Sequence, residues 1–114
     1  MNNEIRMPRG TSASFAVKIY DSDGKPYEHN NSDVVRMGVK PDENAADYSV
    51  QKTGVYNIDN DCYIFNFTPE DTAGLPFDRY WYDIGLQTED GNYYMIVEAS
   101  YFYIDIAITA KEVQ

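Results

Sequence analysis

The segment Tyr82-Asp83-Ile84-Gly85-Leu86-Gln87, followed by the turn Glu89-Asp90-Gly91-Asn92, decides the fold class of this chain. Apolar and polar residues alternate along the segment. A period of two places one set of side chains on a core and the other set toward solvent. An Asp-Gly pair beside such a segment is a strong signal for a β-hairpin. The segment Phe15-Ala16-Val17-Lys18-Ile19 alternates in the same way before a second turn, Asp21-Ser22-Asp23-Gly24. The pattern therefore predicts antiparallel strands joined by tight turns.

Across the whole chain, the same pattern predicts seven or eight short strands, so we expect an all-β fold. We place them at residues 4–7, 11–20, 33–40, 48–53, 61–67, 79–88, 93–98 and 101–109. Residues 54–60 are expected to form a polar connection. The last strand is expected to bury one face, which carries Phe102, Ile104, Ile106 and Ile108. Turn signals about ten residues apart are typical of an antiparallel, immunoglobulin-like β-sandwich.

One segment between the predicted strands at 61–67 and 79–88 carries helix signals. Thr68 fits an N-cap, Pro69 fits the first helical position, and Asp71 suits the positive end of the helix dipole. Gly74 is expected to end this single helical turn. We expect the turn to cross between two sheets, with Leu75 filling the end of the core.

Length and charge limit the classes of function. The 114 residues fit a single domain, 1–114, with its core at about 9–109. A net charge of −10 repels phosphate backbones, so we expect no nucleic-acid partner. The sequence contains no apolar run of membrane-spanning length and no secretory signal. We therefore expect the protein to be made in the cytoplasm and to have no membrane partner.

Few residues could carry catalysis. His29 is the single histidine, and its polar loop predicts a solvated side chain. Cys62 is the single cysteine and is expected to be a small strand residue. The turn at Asp21 lacks the acidic twelfth position of a calcium loop, because that position is Ser32. We expect no catalytic residue, no cofactor site and no metal site.

Aromatic residues are the strongest candidates for a binding surface. The chain has 11 tyrosines and one tryptophan. These side chains are large and amphipathic, and they are enriched at the centres of protein interfaces. Within the strand at 79–88, Trp81 points away from the face shared by Tyr80 and Tyr82. The start of the chain, residues 4–7, and the last strand, residues 101–109, are expected to be sheet edges that are open to pairing. The predicted interface residues are Trp81, Tyr93, Tyr101 and Tyr103.

The order of several segments resembles a known family. They are the segments 9–11, 15–19, 23–27, 33–40, 51–54, 68–76 and 80–87, which include Arg9-Gly10-Thr11, Asp23-Gly24-Lys25-Pro26-Tyr27 and Tyr80-Trp81-Tyr82-Asp83. Their order, across about residues 9–109, resembles the small β-sandwich proteins encoded in tail and baseplate regions of phages and prophages of Gram-positive bacteria. It is similar to the N-terminal domain of upper baseplate proteins. The resemblance implies a non-enzymatic virion protein that assembles through contact with baseplate proteins or with copies of itself.

Two other classes of function fit the same residues. A carbohydrate-binding module would use the exposed aromatic side chains to stack on sugar rings. A small acidic inhibitor of a host enzyme would use the negative charge instead. Tail genes beside the coding sequence would favour the virion hypothesis, whereas genes for polysaccharide enzymes would favour the carbohydrate hypothesis.

Overall fold

The computed structural model describes residues 3–108, which contain eight β-strands and one short helix. In chain order these are β1 Ile5–Pro8, β2 Ala13–Val17, β3 Val34–Lys40, β4 Val50–Thr53, β5 Val55–Asn57, β6 Cys62–Phe67, α1 Pro69–Ala73, β7 Asp78–Gln87 and β8 Tyr93–Asp105. The predicted mostly-β fold with one helical turn is confirmed. In this part of the chain, no helix has the length and apolar character needed to span a membrane.

The strands form two sheets. Sheet A has five strands in the order β1-β8-β7-β3-β4, and sheet B has three in the order β2-β6-β5. Strand β1 runs parallel to β8, with Ile5 opposite Phe102, whereas the other named pairs are antiparallel. The prediction of a purely antiparallel architecture is therefore wrong for β1, and sheet A is mixed.

Buried side chains of both sheets belong to one hydrophobic cluster. On β3, the predicted alternation of Val35, Met37 and Val39 is confirmed, since all three are buried. Phe67 of β6 and Phe102 of β8 join the two sheets, with ring centroids 5.6 Å apart. The apolar positions with a period of two thus form the core.

Residues 54–60 differ from the predicted polar connection. Part of this segment is β5, which pairs with β6 from Val55 opposite Ile64 to Asn57 opposite Cys62. The turn between them contains Asp61 at a φ of 49°. Asp tolerates this left-handed conformation better than most residues, which allows a tight turn between the two strands.

The two predicted C-terminal strands are one strand, β8. Its pairing with β7 contains two register shifts, between Tyr82 and Gly85 of β7. The shifts fit β-bulges, which add residues to one strand of a pair without ending it. This is why a segment that reads as two short strands forms a single strand of 13 residues.

The end of β8 also differs from the prediction. The strand stops at Asp105, and Ile106 and Ile108 are 63% and 97% exposed instead of buried. Position 109 of the predicted strand lies outside the described residues. Over Phe102 to Ile104, β8 lies between β1 and β7, so this part of the last strand is not the predicted edge. Strand β1 is an end strand of sheet A, as predicted for residues 4–7.

Helix α1 crosses from sheet B to sheet A, as predicted. The Asp71 carboxylate accepts a hydrogen bond from the Thr68 backbone N–H at 2.7 Å and pairs with Lys52 Nζ at 2.6 Å. Leu75 packs against the core but is only partly buried. Thr72 is the fully buried residue of the helix, and its Oγ1 accepts a hydrogen bond from the Gly10 N–H at 2.8 Å.

Candidate functional site

Three of the four predicted interface residues lie together on the outer face of sheet A. Trp81 of β7 lies opposite Tyr101 of β8, and their ring centroids are 4.6 Å apart. Tyr103 continues the line, with its ring centroid 6.0 Å from that of Tyr101. Their strand neighbours Tyr80 and Phe102 are buried, so alternation directs these three rings outward. We call Trp81, Tyr101 and Tyr103 the aromatic row.

Two arginines lie over the aromatic row. The Arg79 guanidinium carbon is 4.5 Å from the ring centroid of Tyr101 and 6.0 Å from that of Trp81. The Arg6 guanidinium carbon is 4.0 Å from the ring centroid of Tyr103. Such cation–π contacts contribute about 0.5–1 kcal/mol at exposed sites. Arg6 already pairs with Glu4 at 3.4 Å and with Asp105 at 3.1 Å, so Arg79 is the guanidinium group of the row that can bind a further carboxylate.

The fourth predicted residue, Tyr93, lies on the same face but outside the row. It is opposite Gln87, six positions along β7 from Trp81, which corresponds to about 20 Å. Its ring covers Gly85, where an added Cβ would overlap the Tyr93 hydroxyl. Burial and the nearby Asp83 carboxylate raise the pKa of Tyr93. The structure therefore separates Tyr93 from the other three.

The outer face of sheet A carries charged groups of both signs. Alternation with buried neighbours directs four of the nine Lys and Arg residues to this face, namely Arg6, Arg36, Lys40 and Arg79. Asp83 lies near Lys40, and burial raises the pKa of Asp83 while Lys40 opposes the rise. Asp105 on the same face pairs with Arg6, which also pairs with Glu4, so the acidic side chains offset most of these positive charges.

A second surface feature is a cleft of about 720 Å³ between the β7–β8 turn and the loop at 20–33. Its lining includes the buried Ile19 and Leu86 and the exposed Tyr20 and Tyr94. Four acidic residues also line it: Asp21, Asp33, Glu89 and Asp90. Sequence reasoning missed this cleft, because its two sides are far apart in the chain and carry no motif.

One acidic residue of this cleft is fixed by a tyrosine. The Tyr27 hydroxyl donates a hydrogen bond to Asp33 Oδ2 at 2.9 Å. Burial, together with this carboxylate, raises the pKa of Tyr27 to about 12. The hydroxyl therefore stays protonated at neutral pH and acts as a donor to the carboxylate.

The structure corrects the prediction for His29. Its Nδ1 lies 2.6 Å from the Tyr63 hydroxyl, and its ring stacks on that of Tyr56 with centroids 3.7 Å apart. Burial raises the pKa of Tyr63, which keeps the hydroxyl protonated so that it can donate to Nδ1. The polar loop packs on sheet B, so His29 is oriented rather than solvated. Cys62 is buried in β6, as expected for a small strand residue.

Comparisons with known proteins add no family assignment. No protein-family model matches the chain, and no curated protein matches it significantly. Within residues 3–108, no three His, Cys, Asp or Glu side chains are grouped so that they could hold a metal ion. The function must therefore be argued from the geometry of the aromatic row and the cleft.

Proposed function

We propose that the chain is a non-enzymatic structural module of a phage or prophage virion, which acts in tail or baseplate assembly through protein–protein contact. The observation that supports this proposal is the aromatic row with Arg79 and Arg6 over it. Trp, Tyr and Arg are the residue types that contribute most to binding energy at protein interfaces. The resemblance to tail and baseplate proteins suggests the class of partner.

A second proposal concerns the fold. We propose that sheets A and B are the two layers of an immunoglobulin-like β-sandwich, because their buried residues share one hydrophobic cluster. In such an architecture, strands rather than loops hold the aromatic row. A rigid surface loses little conformational entropy on binding, which favours affinity.

The chemistry of the row also indicates the kind of partner surface. Planar guanidinium groups bind carboxylates with two parallel hydrogen bonds. The flat rings beneath them favour apolar or aromatic side chains of the partner. A partner patch with Asp or Glu around an apolar centre would therefore match this face.

Binding of purified tail or baseplate proteins to substituted chains tests the proposal. Trp81→Ala and Tyr101→Ala should each weaken binding tenfold or more, which corresponds to about 1.4 kcal/mol. Tyr20→Ala is the matched control, because Tyr20 is an exposed tyrosine remote from the row. Circular dichroism would verify that each variant is folded. If Trp81→Ala and Tyr101→Ala bind as tightly as Tyr20→Ala and the unsubstituted chain, the row is not the contact surface.

The carbohydrate hypothesis is supported by a different observation, the cleft. The aromatic row is not a flat platform, since its neighbouring rings are inclined by 58° and 61°. Tyr20 and Tyr94, in contrast, line a concave site beside carboxylates that could bind sugar hydroxyls. Glycan binding that is lost in Tyr94→Ala and kept in Trp81→Ala would favour a carbohydrate-binding module. Inhibition of a host enzyme without either binding activity would favour the inhibitor hypothesis.

A further inference from the structure

The cleft between the β7–β8 turn and the loop at 20–33 offers accessible apolar surface. Tyr94 lies opposite the buried Leu86, so alternation places both side chains on the core-facing side of sheet A. Tyr94 is nevertheless 51% exposed, because it forms a wall of the cleft. The exposed Tyr20 and the partly buried Ile96 also line it. An aliphatic chain that enters the cleft would therefore contact two tyrosine rings and an isoleucine.

The charges around the cleft are of one sign. Its four acidic residues are Asp21, Asp33, Glu89 and Asp90, and within residues 3–108 no lysine or arginine lines it. In this part of the chain none of the four forms an ion pair with a lysine or an arginine. Like charges held together repel one another, and a bound cation relieves this repulsion. A neutral sugar would leave the repulsion in place, so the charges favour a cationic ligand.

The carboxylates favour an ammonium group over a guanidinium group. Asp21 Oδ1 accepts hydrogen bonds from two backbone N–H groups of its own turn, at 2.9 and 3.0 Å. Asp33 Oδ2 accepts hydrogen bonds from the Tyr27 hydroxyl at 2.9 Å and from the Asn30 N–H at 3.0 Å. Each carboxylate is therefore fixed through one oxygen. Arginine binds both oxygens of one carboxylate, whereas the three N–H groups of lysine can each bind one oxygen of a different carboxylate.

We propose that this cleft binds a lysine side chain that a partner protein presents on an exposed segment. The ammonium group would bind the second oxygens of Asp21 and Asp33, and the aliphatic stem would lie along Ile96. The rings of Tyr20 and Tyr94 would add cation–π contacts. This inference goes beyond the proposed function, because it uses none of the aromatic row and requires a partner surface that is basic instead of acidic.

A titration followed by NMR tests the ligand. The probe is a capped pentapeptide with a central lysine between alanines, and its binding should shift the amide signals of residues 19–33 and 86–96. The same peptide with norleucine keeps the aliphatic stem without the ammonium group and should bind about tenfold more weakly. The arginine peptide should also bind more weakly than the lysine peptide. Equal binding of the lysine and norleucine peptides, or no shift with either, would overturn the inference.

Substituted chains test the carboxylates in the same titration. Asp21→Asn and Glu89→Gln should each weaken binding of the lysine peptide severalfold. Asparagine at 21 keeps an oxygen acceptor for its turn, and Glu89 is exposed, so both variants should fold. Asp59→Asn is the matched control, because Asp59 is an exposed acidic residue outside the cleft. Binding that is equal in all three variants and the unsubstituted chain would overturn the assignment to this cleft.

Two further measurements separate this site from the other proposed contacts. Trp81→Ala should bind the lysine peptide as tightly as the unsubstituted chain, so the cleft and the aromatic row can fail independently. Maltotriose and triacetylchitotriose serve as neutral sugar probes and should leave the cleft signals unchanged. Shifts of these signals by either sugar, with none by the lysine peptide, would overturn the inference and favour the carbohydrate hypothesis.

Discussion

At the scale of single residues, the contacts of His29 show how a polar side chain stabilises this fold without taking part in catalysis. The ring fills a gap between the loop at 20–33 and sheet B, stacked on Tyr56 and hydrogen-bonded to Tyr63. Tyr63 is 4% exposed, so its hydroxyl has little access to solvent when the histidine is removed. A buried polar group without its partner destabilises the folded state.

His29→Ala should therefore lower the free energy of unfolding by about 1–3 kcal/mol, while binding to partner proteins is kept. Tyr63→Phe removes the other half of the hydrogen bond, so the double variant should be less destabilised than the sum of the two single variants. Urea unfolding of the three variants measures this coupling. Tyr56→Phe keeps the stacked ring and removes only the exposed bond to Asp61, so it is the matched control with a small effect. Strict additivity would show that His29 and Tyr63 do not interact.

The face on which a side chain lies is predictable when the alternation of one strand determines it. The contacts of a side chain are not predictable when they involve segments that are distant in the sequence. The alternation of its own strand predicts Trp81 on the face opposite Tyr80 and Tyr82, and the structure agrees. The surroundings of His29 depend on contacts with β5 and β6, which the loop sequence does not encode locally. Arg79 carried a usable signal, because it is in phase with Trp81.

At the scale of elements, helix α1 depends on one carboxylate. Asp71 binds the Thr68 N–H and Lys52 at the same time. Burial tends to raise the pKa of Asp71, but Lys52 and Thr68 outweigh it, so the pKa lies below its usual range. An aspartate whose pKa is lower in the folded state stabilises the fold above its unfolded pKa of about 3.9. That contribution is lost as the pH falls through the folded pKa.

Asp71→Asn should accordingly lower the free energy of unfolding by about 1 kcal/mol near neutral pH. The difference from the unsubstituted chain should decrease as the pH falls below about 4, because the unfolded chain takes up a proton at Asp71 there and the folded chain does so only at lower pH. Chemical unfolding from pH 7 to acidic pH measures both. Asp59→Asn, at an exposed position in the β5–β6 turn, should have little effect at any pH. A difference for Asp71→Asn that is constant with pH would contradict this assignment.

The boundaries of elements were less predictable than their existence. The helical turn, β3 and β6 were found because capping residues and strict alternation are local signals. Strand β5 was missed because Val55-Tyr56-Asn57 is short and becomes a strand only by pairing with β6. The bulges in β8 shift the alternation, so one strand was read as two.

At the scale of the whole molecule, the proposed contact through the aromatic row depends on one arginine. Arg79 lies over the rings of Tyr101 and Trp81, whereas Arg6 is already paired with Glu4 and Asp105. A partner carboxylate that binds Arg79 would therefore assist the contact by electrostatic attraction.

Salt should therefore reduce the contribution of Arg79 to binding. The Debye length falls from about 10 Å at 0.1 M ionic strength to about 3 Å at 1 M, so attraction between exposed charges weakens. At low salt, Arg79→Gln should bind a tail or baseplate partner more weakly than the unsubstituted chain, and this difference in affinity should decrease as salt is added. Binding titrations of both proteins in one salt series measure the trend. Equal affinities at low salt, or a difference that salt does not change, would contradict an electrostatic role for Arg79.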